Sequence, residues 1–261
     1  MNRWMFYIPL AYFFGTRVVT AKARISWCMI YPVPLLLIVF AFGQGFDLED
    51  LVQLILASVC TYTIYELGYI QNDTVTIRSE AQPNLRLGEL ELEYVSDYWL
   101  VMLLVRLMIA GLLLSSLYSA PGFLLYLLSL LILGTVFQIY NRQRGPMNAL
   151  LHPVLVTARF CGPLMLLLPD LTVFCYGLLV FPVLNGLERA REPRYGLTRL
   201  ERIWFANSGS GRWGYYLVVL AAWLLLCVTL DLSLLTGLPL FYMFVYRLGS
   251  PWILTRLGLG R

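Results

Sequence analysis

Two polar stretches in an otherwise apolar chain hold the residue types that could do chemistry. The first runs from Tyr65 to Arg86, and within it Glu66, Tyr69, Asp73, Thr76 and Glu80 recur at steps of three and four. A helix through these positions puts all five on one face. Carboxylates stacked on one face at a membrane boundary repel one another unless a cation or basic side chains neutralise them. The second stretch, Asn185 to Gly196, sets Glu188 and Glu192 one helical turn apart with Arg189, Arg191 and Arg194 interleaved. A departing diphosphate needs its charge neutralised by metal ions. Mg²⁺ takes oxygen ligands and keeps several waters, so one or two carboxylates per ion suffice. Two acidic clusters on facing helices could thus hold Mg²⁺ on either side of one diphosphate, through Asp73, Glu80, Glu188 and Glu192. Arginines would bind the remaining phosphate oxygens. The competing reading of the same carboxylates is a set of ion pairs with neighbouring arginines in solvated connections.

The elements that must position these stretches are membrane spans. The chain has 261 residues, 59% of them hydrophobic and only 13% charged, with a mean hydropathy of +0.72. Soluble domains carry about 25% charged residues, so this is an integral membrane protein. Apolar runs predict eight spans near 26–43, 51–69, 98–117, 121–140, 149–168, 171–186, 213–230 and 234–248. The expected fold is therefore all-α, a single polytopic helix bundle over residues 1–261, about eight transmembrane helices around a central cavity. Pro34, Pro153, Pro163, Pro182 and Pro239 lie in or near the spans and predict kinks. Residues 1–25 read as an interfacial or cytoplasmic N-terminal segment with no removable leader. The short connections 44–50, 118–122, 169–170 and 231–233 contain neither Lys nor Arg. Seventeen of the nineteen basic residues fall on the other side, with Arg247 among them at the end of the last span, and the remaining two, Arg106 and Arg159, lie within spans. The positive-inside rule then puts both termini and both acidic stretches in the cytoplasm, in a membrane of bacterial type.

Several residues carry two readings. Glu66 and Arg106, both inside spans, either pair across helices or serve a substrate. Arg159 faces the cavity, where it could reach a phosphate, or snorkels. Arg142 and Arg144 are phosphate ligands or topology signals, and Asn185 is an orienting amide or a helix cap. Tyr62, Tyr65 and Tyr69 line a cation-stabilising cavity wall or form an interfacial belt. His152 reads as a boundary residue beside Pro153. The five cysteines lack any CxxC spacing and read as buried hydrophobes.

Asn72-Asp73-x-x-Thr76-x-x-x-Glu80 resembles the first motif of UbiA-type intramembrane prenyltransferases, NDxxDxxxD, with Thr76 where that family has an aspartate. Glu188-Arg189-Ala190-Arg191-Glu192, followed by Gly196, is similar to their second motif. Tyr140-Asn141-Arg142-Gln143-Arg144 stands where the family often has a tyrosine and basic residues. The resemblance implies a Mg²⁺-dependent transferase with Asp73, Glu80, Glu188 and Glu192 as metal-binding and catalytic residues. It also implies Asn72, Thr76, Tyr140, Arg142, Arg144 and Asn185 around the substrate, to which the residue-by-residue reading of the spans adds Arg159, Glu66 and Tyr69. The leading expectation is prenyl transfer from an isoprenyl diphosphate to an acceptor. Gln82-Pro83-Asn84-Leu85-Arg86 is similar to a run in the family's branch that moves phosphoribose onto a polyprenyl phosphate. That resemblance adds Arg86 to the substrate contacts and makes such a phosphoribosyl or glycosyl transferase the alternative. A non-catalytic transporter or scaffold is the third reading. The expected partners are an isoprenoid or polyprenyl (di)phosphate, a small-molecule donor or acceptor and membrane lipids, with no nucleic acid.

Overall fold

The computed structural model describes residues 3–43, 45–79, 85–143, 146–192, 195, 197 and 210–256. These residues form helices and, among them, no strand: α1 (Ala11–Thr16), α2 (Ala21–Ile30), α3 (Pro32–Phe42), α4 (Leu48–Thr74), α5 (Glu89–Leu117), α6 (Phe123–Arg142), α7 (Pro146–Leu167), α8 (Leu171–Val180), α9 (Pro182–Ala190), α10 (Ser210–Thr229) and α11 (Leu238–Arg256). Six of the described helical segments are long and apolar enough to cross a membrane, among them the combined Ala21–Phe42. The pair α8 and α9, bent by 43°, would make a seventh. The last predicted span forms as a 3₁₀ turn, Leu234–Gly237, and α11, which carries Arg247 near its middle.

Proline placement explains the breaks. Pro32 and Pro182 each sit at the start of a helix, where the missing N–H costs nothing, so the apolar runs through 26–43 and 171–186 are divided there. Pro153 and Pro163 stay inside α7.

Cross-links between helix ends fix which ends lie together. At one end, the Asn141 amide near the end of α6 donates to the carbonyl of Gly68 at 2.9 Å and to Gln71 at 3.0 Å, both late in α4. Asn148 at the start of α7 donates to the Tyr140 and Gln143 carbonyls. Arg212 at the start of α10 holds Glu188 near the end of α9. At the opposite end Gly122 N–H donates to the Leu166 carbonyl, and Asp47 and Asp170 cap α4 and α8. The two polar stretches therefore belong to the end that carries the basic connections, as the charge partition requires.

The N-terminal segment is held against the bundle. Although Trp4 and Ile8 are exposed, Phe6, Tyr12 and Phe13 are buried in the bundle. The cause is the Glu66–Arg106 pair, at 2.8 Å with both side chains fully buried. Arg106 also donates to the carbonyls of Phe6, Met5 and Ile8. Glu66 accepts the N–H groups of Leu10 and Phe13 at 2.9 and 2.6 Å, capping the first turn of α1 from a distance. Leu10 takes a left-handed conformation, φ 68°, to present its N–H.

Close approach of α4 and α6 rests on Gly68, where a Cβ would stand 2.4 Å from the Phe137 ring. Gly68→Leu is expected to cost about 1–3 kcal/mol through overpacking, read as a drop in melting temperature of the detergent-solubilised protein, while Gly111→Leu, in open space, should leave it unchanged.

Candidate functional site

α4 presents Glu66, Tyr69 and Asp73 on one face, as their spacing predicts, and that face is covered by residues 10–17. The Phe13 and Tyr69 rings stack 6.4 Å apart at 9°, between the Glu66 cap and the Asp73 cluster. The helix ends at Thr74, and a 3₁₀ turn, Thr76–Ser79, follows. Thr76 is thus half-buried in a turn rather than on the α4 face. Glu80 and Arg144 lie outside the described residues.

Asp73 is 2% exposed and accepts hydrogen bonds on both oxygens. Arg17 donates to Oδ1 and Oδ2 at 2.8 Å each, and Arg86 donates to Oδ1 at 3.2 Å. The Tyr12 hydroxyl donates to Oδ2 at 2.7 Å, and the Asn72 amide to Oδ1 at 3.2 Å. Burial, followed by the neighbouring Asp73 charge, pushes the Tyr12 phenol well above its ordinary pKa, so it stays a donor at physiological pH. Sequence reasoning places Arg86 and Asn72 here. It misses Tyr12 and Arg17, because a basic residue ahead of the first span reads only as a topology signal.

In the second stretch Glu192 pairs with Arg189 three residues back, and Glu188 pairs with Arg212 through the guanidinium Nε and Nη2. Asn185 is half-buried with its side-chain oxygen sealed and unpartnered. Pro182 and Phe181, not Asn185, mark the start of α9.

An aromatic wall connects the two stretches. The Arg17 guanidinium lies 4.3 Å from the Tyr69 ring centre. Ring contacts run from Tyr69 to Phe137 at 5.7 Å, to Tyr140 at 6.1 Å and to His152 at 6.4 Å. Arg189 interacts with Tyr140. Tyr69 donates to the Tyr65 hydroxyl at 3.3 Å. The Arg159 guanidinium stands over the rings of Tyr65, Tyr31 and Tyr62, at 4.7, 5.3 and 5.8 Å. Its Nε is buried without a partner, and it pairs with no carboxylate among the described residues. The ion is held by π faces inside the bundle. Arg142 ends α6 exposed.

The donors around Asp73 suit a hard cation by type, offering carboxylate, amide and hydroxyl oxygens. By arrangement they do not fit a resident Mg²⁺. Both oxygens of Asp73 face guanidinium groups. Among the described residues no three His, Cys, Asp or Glu side chains converge. What this end of the bundle offers as it stands is a row of guanidinium groups beside carboxylates and phenols. No family model matches the sequence, and neither curated proteins nor solved structures give a match.

Proposed function

We propose that this chain is a membrane transferase of UbiA type that handles an isoprenoid phosphate or diphosphate at the basic end of the bundle. Prenyl transfer from an isoprenyl diphosphate to an acceptor is its leading form. The observation that supports it is the convergence of both polar stretches on one aromatic wall faced by Arg17, Arg159 and Arg189. Carboxylate–guanidinium pairs are exchangeable with a magnesium diphosphate, which offers the same charges in complementary order. Arg17 and Arg86 would turn from Asp73 to the phosphate oxygens. Mg²⁺ in this proposal enters with the diphosphate as its salt, and the chemistry it supplies is neutralisation of the leaving group. This end, with both termini, is cytoplasmic in this proposal, which the one-sided arginines support through the positive-inside rule.

One observation favours the alternative, transfer of phosphoribose or another sugar onto a polyprenyl phosphate. The faces of Tyr31, Tyr62, Tyr65 and Tyr69 are already occupied by the fixed cations of Arg159 and Arg17. They are then poorly placed to stabilise a developing carbocation and well placed beside an anionic lipid.

The test is a product assay on the purified full chain in detergent with Mg²⁺. It is given labelled isoprenyl diphosphate with aromatic acceptors, or labelled phosphoribosyl diphosphate with polyprenyl phosphate. Label leaving the isoprenyl diphosphate for an acceptor establishes the leading form, and label entering the lipid phase from the sugar diphosphate establishes the alternative. No transfer in either arm leaves the non-catalytic reading of these charges.

A further inference from the structure

A basic cavity of about 260 Å³ lies between α2, α9, α10 and α11, lined by Ser26, Asn185, Glu188, Arg212, Tyr216 and Arg247. It shares no residue with the Asp73 cluster. Its charges do not cancel, since two guanidinium groups face one carboxylate. Arg212 spends Nε and Nη2 on Glu188, leaving Nη1 in no described hydrogen bond. Arg247 interacts with the Tyr216 hydroxyl, pairs with no carboxylate among the described residues, and has its Nε buried without a partner. The Asn185 side-chain oxygen is likewise buried and unpartnered. The remaining polar groups, the Ser26 and Tyr216 hydroxyls, are engaged as acceptor from Tyr246 and as donor to the Val180 carbonyl.

Both guanidinium groups are half-buried, with Arg247 also 5.7 Å from the Tyr246 ring centre, and a cavity with this surplus of positive charge is completed by an anion. A volume below the roughly 300 Å³ of drug-sized pockets suits a small molecule rather than a lipid chain. An apolar cavity of about 330 Å³ that would suit a chain lies elsewhere, lined by Leu35, Leu36, Leu54, Ile55 and Val59 of α3 and α4 with the rings of Tyr31 and Tyr62. We propose that the polar cavity binds a small hydroxylated oxyanion, its charged group between Arg247 and Arg212 Nη1 and its hydroxyls on Asn185 and Ser26. This deepens the transferase reading, on which it rests for a role, by giving the second substrate's class as polar and anionic. The binding itself stands apart from turnover.

The test is calorimetric titration of the purified full chain, without lipid substrate, with D-ribose 5-phosphate, D-gluconate, inorganic phosphate and neutral D-ribose. Saturable binding of ribose 5-phosphate or gluconate is expected, stronger than inorganic phosphate, with none for ribose. Whichever of the first two binds identifies phosphate or carboxylate as the charged group. Arg247→Gln should weaken it at least about tenfold. Asn185→Asp, an isosteric change that cancels the surplus charge, should do the same and serves if the arginine variant does not fold. No binding by the wild type, equal binding of neutral ribose, preference for bare phosphate, or unchanged affinity in either variant overturns the site. Oxyanion binding without transfer in the product assay would keep the site and remove the transferase.

Discussion

Arg106→Leu is expected to destabilise the folded protein by about 3–5 kcal/mol, the cost of leaving one member of a buried ion pair unpartnered. The guanidinium group is fully buried and holds Glu66 at 2.8 Å and the Phe6 carbonyl at 2.7 Å. Its loss strands a buried carboxylate that retains only the N–H groups of Leu10 and Phe13, together with the carbonyls of the N-terminal segment. The melting temperature of the solubilised protein should fall, and residues 3–17 should become the first protease-cut segment. Glu66→Gln keeps the shape and loses the charge, so it should cost less. The double variant should be more stable than the sum of the single changes by about 1–3 kcal/mol, since the two groups act as a unit. A near-wild-type melt for Arg106→Leu would mean that the pair is not structural, and the substrate role for Glu66 would return.

That pair shows what the sequence carried and what it did not. A lone carboxylate and a lone guanidinium in consecutive apolar runs were legible as partners because neither is tolerated alone in a membrane. The carbonyls of Met5, Phe6 and Ile8, which complete the site, were not, because a backbone group has no residue type to betray it. The spans were legible for the same energetic reason, and so was the bend at Pro182, whereas the break at Pro32 was passed over by an apolar count. Periodicity correctly placed Glu66, Tyr69 and Asp73 on one face. It could not say that residues 10–17 would cover that face, nor that α4 would end at Thr74 before reaching Thr76. Arg17, Arg212 and Arg247 were visible only as topology signals. Their function depends on which helix ends meet, and a one-dimensional charge count does not contain that information.

Asp73→Asn is expected to lower turnover by at least about a hundredfold, the scale of losing one preorganised electrostatic group at a reacting centre. The side chain keeps its size but loses the charge that faces Arg17 and Arg86, at 2.8 and 3.2 Å. Each charge-assisted hydrogen bond weakened at a buried site costs about 1.5–3 kcal/mol, so some stability must fall with activity, and loss of activity alone decides nothing. The double variant Asp73→Asn with Arg17→Gln separates the roles. Removing the guanidinium group relieves the uncompensated charge and should recover much of the melting temperature. Turnover should stay lost in that folded double variant, since the proposal also gives Arg17 to the phosphate oxygens. Turnover that returns with stability would remove both side chains from the reaction. A binding measurement sharpens the contrast. With Asp73 neutralised, Arg17 and Arg86 are released toward oxyanions, so Asp73→Asn alone should bind an isoprenoid phosphate more tightly than wild type while transferring nothing. Weaker binding in that variant would show that the carboxylate does not compete with the substrate for these arginines, and the exchange of partners on which the transferase proposal depends would fail.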